Sequence, residues 1–169
     1  MINTYNSYYQ SLINSFMKPL FLLALSLFIA QSALAETQVI KQVFDIETTD
    51  FDAMYQFIPD YVEIEVGEKV RFEGSVGSHT AHSIKGMIPE GVKPITIAYS
   101  DVSEVTFDKP GVYGIKCKVH HRYGMVALIV VGDPSGNIVQ AREAAKKRVS
   151  RRAQDKMQAM LDKAEKKTP

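Results

Sequence analysis

The 169-residue chain contains a single cysteine. No intramolecular disulfide can form from one thiol, and a zinc site built on several thiolates is excluded with it. Charge of one sign is also lacking: the formal net charge is +1, far from the strongly basic balance of a nucleic-acid-binding domain. No apolar run is long enough for a membrane span of about 20 residues, because Gln31 and Ser32 interrupt the longest, Leu20 to Ala30. Internal repeats and low-complexity segments are absent from the sequence. What remains is an ordinary globular composition, 46% hydrophobic and 23% charged, which rules out a collagenous or wholly disordered chain. The length allows one main domain with appendages, large enough to bury a core without covalent staples.

Residues 1–35 read as an address. Lys18 precedes the apolar run Leu20 to Ala30, and Ala33-Leu34-Ala35 supplies the small residues at which a signal peptidase cuts. The pattern predicts a signal peptide cleaved after Ala35. Residues 1–16 carry no charge, whereas Met17-Lys18-Pro19 opens a more typical signal, so Met17 is a candidate start. Export would place the mature chain in an oxidising compartment, where a lone thiol is a liability unless something holds it.

The near-neutral total hides two opposed parts. Between Glu36 and Ser135 there are 9 Lys plus Arg against 15 Asp plus Glu, whereas from Gly136 onward there are 10 against 4. The division at Asp133-Pro134-Ser135-Gly136 coincides with a turn-forming tetrapeptide. The acidic part reads as strands: Val39 to Thr48, Tyr61 to Val66, Lys69 to Glu73, Val102 to Phe107, Val112 to Cys117 and Met125 to Val131 are short and rich in β-branched and aromatic residues. Glycine and proline turns separate them, which predicts an all-β sandwich or barrel. In the basic part, Ile138, Ala141, Ala145, Val149, Ala153, Met157, Met160, Leu161 and Ala164 recur at steps of mostly three and four. That spacing predicts one or two amphipathic helices whose apolar stripe packs on the sandwich; a basic helix that binds an anionic membrane or a partner is the alternative.

Cys117, His120 and Met125 lie at the junction between the last two predicted strands, and His79 lies in a turn at Gly77-Ser78-His79-Thr80. A tight loop there gathers a thiolate, an imidazole and a thioether at one end of the sandwich, and His79 can complete the group. Two histidines, a cysteine and a weak axial methionine make up the donor set of blue-copper electron-transfer sites. Soft sulfur suits Cu(I), imidazole accommodates Cu(II), and a compromise geometry limits rearrangement when one electron moves. Zinc fits less well, since a thioether is a poor zinc ligand. A Cys–His nucleophile is the enzyme alternative, but Cys117 ends a strand, without a helix N-terminus to activate it or a third residue to orient the base. Taken singly, each of these residues has a structural reading as core or surface.

The segments Gly77 to Gly91 and Lys116 to Asp133 resemble the first-histidine loop and the ligand loop of pseudoazurins, in the cupredoxin superfamily. The similarity runs from about Val43 to Lys163 and includes the helical tail; Cys-x2-His-x4-Met is a spacing shared with amicyanins. The resemblance implies a cupredoxin Greek-key β-sandwich over residues 36–135, with a basic helical extension over 136–169. It also implies one type I copper ion held by His79, Cys117, His120 and Met125. The implied function is a monomeric, non-enzymatic periplasmic electron shuttle, with no nucleic-acid role and no membrane insertion after cleavage. Its partners would be redox proteins such as a copper nitrite reductase or a cytochrome.

Three positions depart from the family pattern: Thr80 where Asn is usual, Lys118 where a small hydroxyl residue is usual, and Val119 where Pro is usual. His82 and His121 are additional histidines, expected at the surface. These departures suit a second reading, a periplasmic copper storage or delivery module without redox turnover. For the shuttle, Val119, Met87, Pro89 and Tyr123 are candidates for an apolar docking patch around His120. Lys85, Lys93, Lys116, Lys118 and Arg122 are candidates for steering acidic partners.

Overall fold

The computed structural model describes residues 37–74, 79–99 and 102–166; the expected signal peptide lies outside them. The described residues belong to one compact unit, Glu36–Pro169. Two sheets face each other. One has the order β2 (Tyr55–Ile58), β1 (Gln38–Phe44), β4 (Lys69–Gly74), β7 (Ser103–Thr106). The other runs β3 (Tyr61–Ile64), β9 (Val126–Val131), β8 (Gly111–Lys116), β5 (Ala81–Ser83), β6 (Thr96–Ile97). The pairs β1·β4 and β3·β9 are parallel and the rest antiparallel. A one-turn helix, α1 (Phe51–Met54), leads into β2. The fold is the expected all-β sandwich, with the two tail helices appended.

Alternation explains the sandwich interior. Ile40 of β1, Val62 and Ile64 of β3, and Val70 and Phe72 of β4 are all buried in one cluster with Phe57, Phe107, Tyr113 and Ile115. Strand β9 shows a different pattern: every residue of Val126–Val131 is buried, the signature of a strand covered on both faces. Ala127, Ile129 and Val131 belong to the cluster between the sheets. Val126, Leu128 and Val130 belong to a second cluster with the tail.

That second cluster is closed by α2 (Ile138–Arg148) and α3 (Arg151–Glu165). All nine residues of the predicted stripe, from Ile138 to Ala164, are buried, mostly to within a few per cent. Extended backbone at Val149 separates the helices, and the Ser150 side chain caps α3 by accepting from Ala153 N–H. Arg142 of α2 clamps the pair, meeting Asp162 at 2.6 Å and Glu165 at 2.8 Å on α3. The stripe therefore packs on the protein's own sheet. Among the described residues no helix is long and apolar enough to cross a membrane.

Candidate metal centre

Two neighbouring strands of one sheet bring the candidate ligands together. β5 pairs with β8, with His82 opposite Lys116, so His79 and Thr80, just before β5, meet Cys117, just after β8. The loop that follows is held by its own backbone. His121 N–H donates to the Cys117 carbonyl at 3.1 Å, Cys117 N–H to the Met125 carbonyl at 3.1 Å, and Met125 N–H to the His120 carbonyl at 3.3 Å. His120–Tyr123 form a 3-10 turn ended by Gly124 at φ +88°, a left-handed conformation that favours glycine. Thus the Cys-x2-His-x4-Met spacing becomes a single hydrogen-bonded hook.

The metal-binding atoms of His79, Cys117 and His120 lie within 4.8 Å of one another. Nδ1 of His79 is 3.0 Å from Nδ1 of His120, which is 3.5 Å from Cys117 Sγ. His79 and Cys117 are buried and His120 is half-buried. Met125 is fully buried in the cluster that contains Cys117. Its backbone is bonded to both loop ligands.

The electrostatics suit a soft cation. Burial pushes the Cys117 thiol up, but hydrogen bonding to the backbone of His120, Thr80 and Val119, with the Thr80 hydroxyl added, more than offsets it. The net direction is down, toward the thiolate that binds metal. Burial holds His79 below the usual imidazole range, so its nitrogen keeps a free lone pair. A buried thiol of lowered pKa and two converging Nδ1 atoms make a donor set that fits copper.

Thr80, one of the unusual positions, ties the two loops together. Its Oγ1 accepts from Lys118 N–H at 3.0 Å and lies 3.9 Å from Cys117 Sγ as a donor. The helical tail reaches the same loop, because Ser150 Oγ donates to the His121 carbonyl at 2.7 Å.

Several surface expectations change. Met87 and Pro89 are buried, since Met87 packs beneath the helices with Ile84, Val112 and Leu128; neither can belong to a docking patch. Val119 is exposed and Tyr123 half-buried, as such a patch requires. Lys116 Nζ is engaged with the Arg148 carbonyl at the end of α2, whereas Lys85, Lys93, Lys118 and Arg122 are exposed. His82 and His121 are half-buried rather than exposed, and neither joins the donor group.

One residue beside the site carried no prediction: Tyr55, whose ring lies 4.2 Å from that of His120 with 12° between the planes. Its strand, Tyr55–Ile58, is only four residues long and carries too little alternation to stand out in the sequence.

A sandwich with this donor set at one end defines a cupredoxin, and residues 44–132 match the model of the copper-binding proteins of the plastocyanin/azurin family; the chain belongs to that family. Within it the chain is pseudoazurin-like. It is 34% identical over 108 residues to a pseudoazurin from Methylorubrum extorquens, covering 64% of this chain and 73% of the relative. It is also 34% identical over 105 residues to a pseudoazurin from Paracoccus pantotrophus, covering 62% and 70%. The crystal structure of pseudoazurin from Methylobacterium extorquens AM1 superposes with a TM-score of 0.65 at 29% identity, covering 76% of this chain and 98% of that one. Copper is accordingly its cofactor.

Proposed function

We propose that this chain is a type I copper electron-transfer protein that moves one electron at a time between redox partners in the periplasm. The observation that carries the reading is the convergence of His79, Cys117 and His120 donor atoms within 4.8 Å at the end of a cupredoxin sandwich. His79, Cys117 and His120 hold the copper, with Met125 as the weak fourth ligand. Bound copper supplies a one-electron Cu(II)/Cu(I) couple. The protein supplies a buried thiolate, a buried neutral imidazole, and a loop whose backbone bonds limit movement of the donors. His120, half-buried between the site and the surface, is the exit for the electron. Val119 and Tyr123 flank it, and Lys118 and Arg122 steer acidic partners. A copper nitrite reductase or a cytochrome fits that description.

Residues 1–35 serve as the cleaved export signal, 36–135 as the copper domain and 136–169 as its basic helical extension. The chain acts as a carrier and not as an enzyme: the only thiol in the sequence is committed to metal, and among the described residues no third group orients a histidine as its base. The storage reading drew on the unusual neighbours Thr80, Lys118 and Val119 and on His82 and His121; neither of these histidines contributes to the donor group. Addition of Cu(II) to the mature protein tests the shuttle. An intense blue thiolate-to-copper band that bleaches and recovers through repeated redox cycles is expected, and Cys117→Ser should abolish it. No blue band, or loss of metal at each reduction, overturns the reading.

A further inference from the structure

The rings outside the donor set form a stack that continues from His120 to the surface. Tyr55 lies flat on the His120 imidazole and meets the His79 ring edge-on, at 6.1 Å and 72°. Tyr55 is in turn stacked with Phe44 at 5.1 Å and with Tyr123 at 5.2 Å, and Phe51 stacks on Tyr123 at 5.7 Å. The stack draws on four elements. Pairing of β1 with β2 sets Phe44 opposite Tyr55, α1 supplies Phe51, and the ligand loop itself supplies Tyr123. A single side chain, Tyr55, thus touches both imidazoles and is braced on two other rings.

We propose that Tyr55 is a positioning residue for His120. The proposal rests on the assignment of His120 as a copper ligand and adds what fixes its ring. His120 is the ligand nearest solvent, and its hydrogen-bonding contacts run through Nδ1 to His79 and Cys117. Neither contact prevents the ring from swinging outward. Rotation that withdraws Nδ1 from the site also breaks the flat contact with Tyr55. An aromatic pair contributes about 0.5–1.5 kcal/mol beyond its buried area, which corresponds to a bias of roughly two- to thirteenfold toward the inward ring. An aliphatic side chain would fill the same space without favouring one ring plane. Tyr55 therefore slows escape of the metal through His120 and keeps the ligand in one orientation in both oxidation states.

Two variants and one property of the unaltered protein test this. In the metal-free protein, proton NMR should place the His120 ring protons upfield, shielded by the Tyr55 ring. His120 protons at ordinary positions overturn the proposal even if every variant fails to fold. In the copper-loaded protein, Tyr55→Leu should release copper to a chelator about three- to tenfold faster, while Tyr55→Phe, which keeps the ring, should stay within about twofold of the parent. A folded Tyr55→Leu variant that releases copper at the parental rate overturns the proposal, as does a Tyr55→Phe variant as fast as Tyr55→Leu, which would assign the effect to the hydroxyl. A parent that develops no blue band overturns the ligand assignment, a failure distinct from loss of the stack.

Discussion

Asn137 completes strand β8 as if it were a neighbouring strand. Its Oδ1 accepts from Val112 N–H at 2.8 Å, and its Nδ2 donates to the Val112 carbonyl at 2.9 Å. Asn137 is itself the residue from which α2 starts, so one amide pins the helical tail to the strand that leads into Cys117. Asn137→Ala leaves both polar groups of Val112 buried and unpaired. At about 1–3 kcal/mol for each of the two orphaned groups, a loss of about 2–6 kcal/mol is expected by denaturant titration. A loss below about 0.5 kcal/mol would mean that the tail is held by its apolar stripe alone.

Gly114 shows how closely Met87 approaches the sheet. A Cβ at Gly114 would lie 2.7 Å from Met87 Cε and 2.9 Å from its Sδ, while Gly114 N–H donates to the Met87 carbonyl at 2.8 Å. Gly114→Ala should cost about 1–3 kcal/mol by overpacking. Met87→Ala added to it should cost less than the two single changes summed, because space is freed where the methyl intrudes. Strict additivity in thermal melts would count against the clash.

Gln42 is a liability rather than an asset. It is fully buried in β1, opposite Phe57 and Gly74, and neither atom of its amide has a hydrogen-bond partner among the described residues. Burial of an unpaired amide is unfavourable, and methionine has a similar shape. Gln42→Met is expected to stabilise the metal-free protein by about 1–2 kcal/mol, read as a higher melting temperature. A lower one would show that the amide has a partner in solution.

Acid should weaken the metal-free protein through its histidines. Burial depresses His79; burial, then the charges of Lys118 and Lys116, depresses His82; burial, then Lys116 and Arg122, depresses His121. Below the unfolded value of about 6.5, the unfolded chain takes up protons that the folded chain resists. Stability from these groups is therefore complete above about pH 6.5 and is lost as pH falls from there toward their folded values. The melting temperature of metal-free protein should rise with pH in that window, with a shallower slope in His82→Gln. A melting temperature that falls as pH rises there would reverse the sign.

Ser150 links the tail to the ligand loop, since it caps α3 and donates to the His121 carbonyl. Ser150→Ala is expected to cost about 1 kcal/mol from the cap. Because His121 adjoins His120, it should also broaden the blue absorption of copper-loaded protein. A destabilised variant with the parental spectrum would confine Ser150 to capping.

Much of the fold was legible because its periods are local. The alternation in Val62-Glu63-Ile64 and the spacing from Ile138 to Ala164 report burial directly, and every residue of the tail stripe is buried as its spacing predicts. The short strands Tyr55–Ile58, Ala81–Ser83 and Thr96–Ile97 were not legible. Two to four residues hold too little alternation to stand out, and their pairing depends on distant neighbours. Met87 and Pro89 misled for a similar reason: a Met-Ile-Pro loop looks available for docking until distant parts of the chain bury it, the two tail helices in the case of Met87.

The sequence by itself determined the donor types, the Cys-x2-His-x4-Met spacing and the amphipathic tail, because each is a pattern within a few consecutive turns of chain. Tertiary structure alone decided that His79, 38 positions before Cys117, aims Nδ1 at the same point, that Thr80 bridges the two loops, and that Tyr55 lies flat on His120. Those relationships arise from pairing between strands far apart in the chain, β5 with β8 and β1 with β2, and no local periodicity encodes which strands will meet.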